Sequence, residues 1–134
     1  MPKVNLHFED IPMFHVDQSA IVKWLEDVLE QEKKTLKELN YIFCSDNYLL
    51  QINQQYLNHD DFTDVITFDN SSEKHLIEGD IFISWDRIKE NAKSYKSILN
   101  NELNRVMIHG VLHLCGYLDK SDHDRQVMKK KEDT

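Results

Sequence analysis

The stretch "HGVLHLCGYLDKSDH", residues 109–123, gathers three of the chain's seven histidines and two of its three glycines. His109 and His113 are four residues apart, and on a helix such residues project from one face, one turn above each other. Two imidazoles so placed can be offered to a single ion, although the same spacing is more often a surface pair. Two features favour a metal. The histidines stand in the most apolar stretch of the chain, residues 106–115, where an unpaired imidazole would be costly. Gly116 follows at the position where a helix ends on a left-handed residue, which would turn the chain back and bring residue 119 toward the pair.

The layout is HxxxHxxGxx(H/D), that of zinc sites in which a helix gives two ligands and the next turn a third. Three protein ligands leave one coordination position for water, the catalytic arrangement rather than the structural one. Asp119 is the favoured third ligand, with His123 as the alternative and Asp122 and Asp124 as further competitors. Ser121 and Asp124 have the spacing of a capping box, so residues 122–124 also read as the solvated first turn of a short last helix. Zinc proteases carry a glutamate general base directly after the first histidine. This chain has Gly110 there, so peptide hydrolysis is not expected.

The elements that must hold these residues are legible from periodicity. "VNLHF" (4–8), "LNYIFCS" (39–45), "TDVITFD" (63–69) and "GDIFIS" (79–84) read as strands, the last two as a hairpin. Asp17 offers a cap for a helix whose apolar face is Ile21, Trp24, Leu25, Val28 and Leu29. Ser45 or Asp46 could cap a second helix with Leu49, Ile52 and Tyr56. A third begins at Trp85, with Ile88, Ala92 and Tyr95. A fourth follows "NN" at 100–101 and is apolar nearly all round from 106 to 115, hence central and buried. With the helix after Ser121 the tally is four strands and about five helices. That predicts an α+β domain, a small mixed four-stranded sheet packed with helices, with the metal site on the central buried helix.

The 134 residues, 40% hydrophobic and 30% charged, suit one soluble domain over 1–134. No apolar run approaches a membrane span and no basic-then-apolar segment opens the chain, so a cytoplasmic protein is expected. Cys44 and Cys115 form no CxxC pair and both lie in apolar stretches, which predicts buried free thiols. The net charge of −8 argues against a generic nucleic-acid binder, yet leaves room for a metal-dependent nuclease, since a cation carries local positive charge.

The segment "HGVLHLCGYLD" resembles the HGxLHLxGYDH pattern of the YbeY family of metal-dependent endoribonucleases, matching at His109, Gly110, Leu112, His113, Leu114, Gly116 and Tyr117. "TDVITF" (63–68) looks like that family's TDVLSF strand, "EGDIFIS" (78–84) like its LGDIxIS strand, and "NELNRVMIHG" like the helix leading into its metal site. The resemblance implies an α+β fold with one divalent metal, zinc, and hydrolysis of single-stranded RNA. It also implies roles in processing rRNA ends and in ribosome quality control, with small-subunit ribosomal components as partners. Two positions depart from the pattern. The family's third histidine falls on Asp119, and a carboxylate ligand would leave the ion's water less acidic than three imidazoles would. The family's arginine, taken to contact RNA phosphate, falls on Leu57, with His59 the nearest substitute.

The chemistry so implied has the ion polarise a phosphate oxygen and acidify water, with water or the ribose 2′-hydroxyl attacking phosphorus. The general base is open; Asp64 could orient a ligand imidazole, and Tyr117 more simply packs. Two lysine clusters, Lys33, Lys34 and Lys37, and Lys129, Lys130 and Lys131, could form a basic groove, although charge runs are usually solvated faces. The alternative function is a ribosome assembly factor whose metal is structural and whose hydrolysis is negligible.

Overall fold

The computed structural model describes residues 3–14, 18–57, 65–73, 75–94 and 98–115. In chain order the elements are β1 (Lys3–Phe8), α1 (Gln18–Gln31), β2 (Thr35–Cys44), α2 (Asp46–Leu57), β3 (Val65–Asp69), β4 (Leu76–Ser84), α3 (Trp85–Ser94) and α4 (Leu99–Leu114). The four strands form one sheet in the order β1-β2-β4-β3. β1, β2 and β4 run parallel and β3 runs antiparallel to β4, so the expected hairpin and mixed sheet are both present. Four helices lie among the described residues; the helix expected after Ser121 and the cap expected at Asp17 fall outside them.

Strict alternation gives the sheet two faces. Leu39, Tyr41 and Phe43 of β2 and Ile77, Ile81 and Ile83 of β4 point to one face. There they pack with Leu25 and Leu29 of α1 and with Val106, Met107 and Val111 of α4. On the opposite face α2 covers Cys44 and Ile66 with Leu49, beside Phe68 and Phe82. That face also carries polar side chains. Asn5 donates to Asn40 and Asn40 to Asp80, each at 2.9 Å, a ladder across three strands.

β2 starts four residues before the expected Leu39. A register shift between Leu36 and Glu38 puts buried Leu36 three residues, not two, before Leu39, which breaks the period that marks a strand. β4 starts at Leu76, and Gly79 lies inside it, where a Cβ would run into the Phe68 carbonyl oxygen of β3. Ser45, rather than Asp46, caps α2, its hydroxyl accepting the Tyr48 N–H at 3.1 Å; Ser84 does the same for α3 through Arg87 N–H at 3.2 Å.

Two helix ends bear on the site. α4 begins at Leu99 rather than after Asn101, its N-cap Ile98 contributing no side-chain hydrogen bond, so the sequence carries no start signal there. α1 ends in a Schellman motif. Lys34 N–H donates to the Leu29 carbonyl at 2.8 Å and Lys33 N–H to the Glu30 carbonyl at 3.1 Å, with Lys33 at φ 59°. A lysine in that left-handed position costs roughly 1 kcal/mol relative to glycine.

Candidate metal centre

Close helix–sheet packing seats α4. A Cβ at Gly110 would stand 2.8 Å from Ile81 Cγ2 and 3.2 Å from its Cδ1, so only glycine lets the helix lie this near β4. Leu114 reaches Gly79, so α4 runs antiparallel to β4. Buried Tyr41 donates its hydroxyl to the Met107 carbonyl at 3.2 Å, which ties β2 to the helix two residues before His109. Within the helix, buried Glu102 is held by Arg105 at 2.6 Å.

With Gly110 against the sheet, His109 and His113 flank the contact on the half-buried side of the helix. Their Nε2 atoms converge to 3.0 Å, with ring centroids 4.6 Å apart and planes at 72°. That separation suits a hydrogen bond when one ring carries its proton on Nε2. It is also close to the roughly 3.3 Å between two nitrogens bound tetrahedrally to one zinc ion. The donor type, the shared direction of the two nitrogens and their partial exposure therefore fit two ligands of one ion. The same packing excludes a protease base, because a glutamate at 110 would be driven into Ile81.

Neither cysteine competes as a reactive group. Burial, reinforced by the carboxylates of Asp10, Asp86, Glu9 and Asp46, pushes the Cys44 thiol up to about 12. Cys115 caps α4 and is half-buried, not buried as expected, because the helix ends there. Its thiol is pushed up to about 11 by burial and then by Glu32, while Lys34 acts in the opposite direction. Both stay protonated at neutral pH.

Among the described residues no third His, Cys, Asp or Glu completes a ligand set with the pair. Asp119, Asp122, His123 and Asp124 lie outside them, as do Gly116, Tyr117, His59, Asp64 and Lys129–Lys131. The early lysine cluster divides. Lys37 sits in β2 and pairs with Glu78 at 3.7 Å, on the polar face, while Lys33 and Lys34 form the turn that closes α1. Reasoning from sequence missed Tyr41, whose hydroxyl in an otherwise apolar strand alternation was the available signal, and the steric reason for Gly110.

These features define a class: a small α+β domain in which one sheet face seats a helix offering two convergent imidazoles. The chain belongs to the family described as Endoribonuclease YbeY, whose profile matches residues 7–134. A relative of that name from Flavobacterium psychrophilum is 56% identical over 117 residues, covering 87% of this chain and 83% of its own. Another, from Cytophaga hutchinsonii, is 50% identical over 127 residues, covering 94% and 89%. A solution structure of a Thermotoga maritima protein superposes with a TM-score of 0.60 at 28% identity, covering 97% of this chain and 87% of that one. No helix among the described residues is long and apolar enough to cross a membrane.

Proposed function

We propose that this member of an endoribonuclease family is a metal-dependent hydrolase of single-stranded RNA, a single cytoplasmic domain acting in the processing of rRNA ends and in ribosome quality control. The observation that carries the reading is the convergence of the His109 and His113 Nε2 atoms, 3.0 Å apart, on a helix locked to the sheet at Gly110. With Asp119 as third ligand, and His123 as the alternative, the pair would hold one zinc ion. When bound, the ion supplies positive charge to a phosphate oxygen and acidifies water near it. The chain's own part is to fix both imidazoles on a helix that cannot slide. Asp64, next in sequence to Val65 of β3, is the candidate for orienting an imidazole, and His59 for a phosphate contact in place of the family's arginine.

The test is cleavage of a single-stranded RNA by the purified chain, with and without chelator. The nuclease reading expects cleavage that chelation abolishes and added zinc restores. No cleavage in either condition would overturn it and leave a ribosome assembly factor with a structural metal.

A further inference from the structure

We propose that the outer edge of β3 receives the Watson–Crick edges of a single-stranded RNA beside the His109–His113 pair, through the outward backbone N–H and C=O of Thr67 and Asp69. The inference rests on the nuclease reading and goes beyond it by naming the surface that holds the substrate and the reason that substrate is single-stranded.

The phase of the ladder is the first argument. β3 is an edge strand of the sheet and pairs antiparallel with β4. Asn70 N–H donates to the Glu78 carbonyl at 2.8 Å, which continues the Asp69↔Gly79 register by one residue. Bonded positions alternate in an antiparallel pair, so Ile66 and Phe68 turn their N–H and C=O toward β4. Thr67 and Asp69 turn theirs outward, and no described strand lies beyond them. An edge of this kind is a ready template of donors and acceptors.

Position is the second. A Cβ at Gly110 would stand 3.5 Å from Val65 Cγ2, and Leu114 reaches Gly79, the β4 partner of Asp69. α4 therefore lies along β3 and β4, and His113 falls between those two contacts, level with Thr67 and Asp69. One flank of the helix, Ile108 and Leu112, is buried in the core shared with α1, which lies over β1 and β2. The other flank carries the half-buried His109 and His113 and looks out over β3. The strand edge and the two imidazoles thus open on the same side of the molecule.

Ligand chemistry is the third. An outward N–H and C=O on one residue match an adjacent acceptor and donor on a base, such as O4 and N3–H of uracil. In a duplex those groups are taken by the opposite strand, so only an unpaired strand fits. The contacts fall on neutral backbone, which suits a chain of net charge −8 with few cations to set against phosphates. The competing explanation is that a five-residue edge is short enough to stay in water without a partner.

The experiment records backbone amide NMR spectra and hydrogen exchange of the metal-loaded full chain, alone and with a short 2′-O-methylated oligouridine. Cleavage of the unmethylated strand is followed in parallel. The Thr67 and Asp69 amides should shift, and exchange more slowly, with the single strand and not with its duplex. A strand whose uracils are methylated at N3 should bind about tenfold more weakly. Thr67→Pro deletes an N–H that the sheet does not use and should raise KM by about the same factor, with kcat little changed. The amide readout on wild type stands whether or not that variant folds. RNA that binds and is cut while the Thr67 and Asp69 amides stay unmoved, or an N3-methylated strand bound as tightly, would overturn this proposal alone. Slow exchange of those amides in the RNA-free chain, deepening with chain concentration, would give the edge to a second copy and overturn it too. A wild type that neither binds nor cuts RNA would overturn the nuclease reading, and this inference with it.

Discussion

Gly110 separates two candidate ligands for a reason that has nothing to do with chemistry at the metal. Its missing Cβ is the space that Ile81 occupies. Ile81 is fully buried and β-branched, so it cannot turn aside. For Gly110→Ala the gain in helix propensity is about 1 kcal/mol, while overpacking a tight core costs about 1–3 kcal/mol. The clash wins. Urea denaturation should show a net loss of about 1 kcal/mol, as a lower midpoint with unchanged slope, together with weaker metal retention as the histidines shift. A more stable variant would mean that α4 is not seated as described.

At the scale of elements, α4 is fixed along its axis by the Tyr41 hydrogen bond to the Met107 carbonyl and by the Gly110 and Gly79 contacts. Tyr41→Phe removes one hydrogen bond, and the carbonyl it leaves lies inside a helix. The expected cost is about 1 kcal/mol in denaturant unfolding, with metal content kept. Much of this level is legible in the sequence. The apolar spacing of Ile21, Leu25 and Leu29, the alternation in β3 and β4, and the apolar girth of residues 106–115 each correspond to an observed element. What is not legible has local causes. The register shift at Leu36 hides the start of β2, and Ile98 supplies no cap to announce α4. The site is half legible: i, i+4 spacing predicts one face for His109 and His113, and they share it. Spacing alone says nothing of Gly110's contact with the sheet. It also groups Lys37, a β2 residue paired with Glu78, with Lys33 and Lys34 of the turn before that strand.

For the molecule as a whole, charge and burial set how it responds to pH and salt. The turn between α1 and β2 and the end of α4 share one end of the sheet, and the carboxylates of Glu9, Asp10, Asp46 and Asp86 gather at the other. The core holds two groups that must stay protonated. Burial raises the Cys44 thiol from 9.0 to about 12 and the Tyr41 hydroxyl well beyond its ordinary 10.0. In the unfolded chain both release protons at lower pH, so above about pH 9 the folded state binds more protons than the unfolded one. Stability from these groups is complete below about pH 9 and is lost as pH rises toward about 12. Denaturation midpoints should therefore fall steadily over that range, and less steeply in Cys44→Ala once its own lower baseline is taken into account.

The proposed chemistry depends on a metal held at His109 and His113 of α4. Elemental mass spectrometry on purified, untagged chain tests it most directly, with His109→Ala, His113→Ala, Asp119→Ala and His123→Ala measured alongside. About one zinc per chain is expected, lost in both helix variants and in Asp119→Ala and kept in His123→Ala. Loss in His123→Ala with retention in Asp119→Ala would move the third ligand. A wild type that holds no zinc after loading and removal of excess would contradict the claim, leaving the convergent histidines a hydrogen-bonded pair on a well-packed helix.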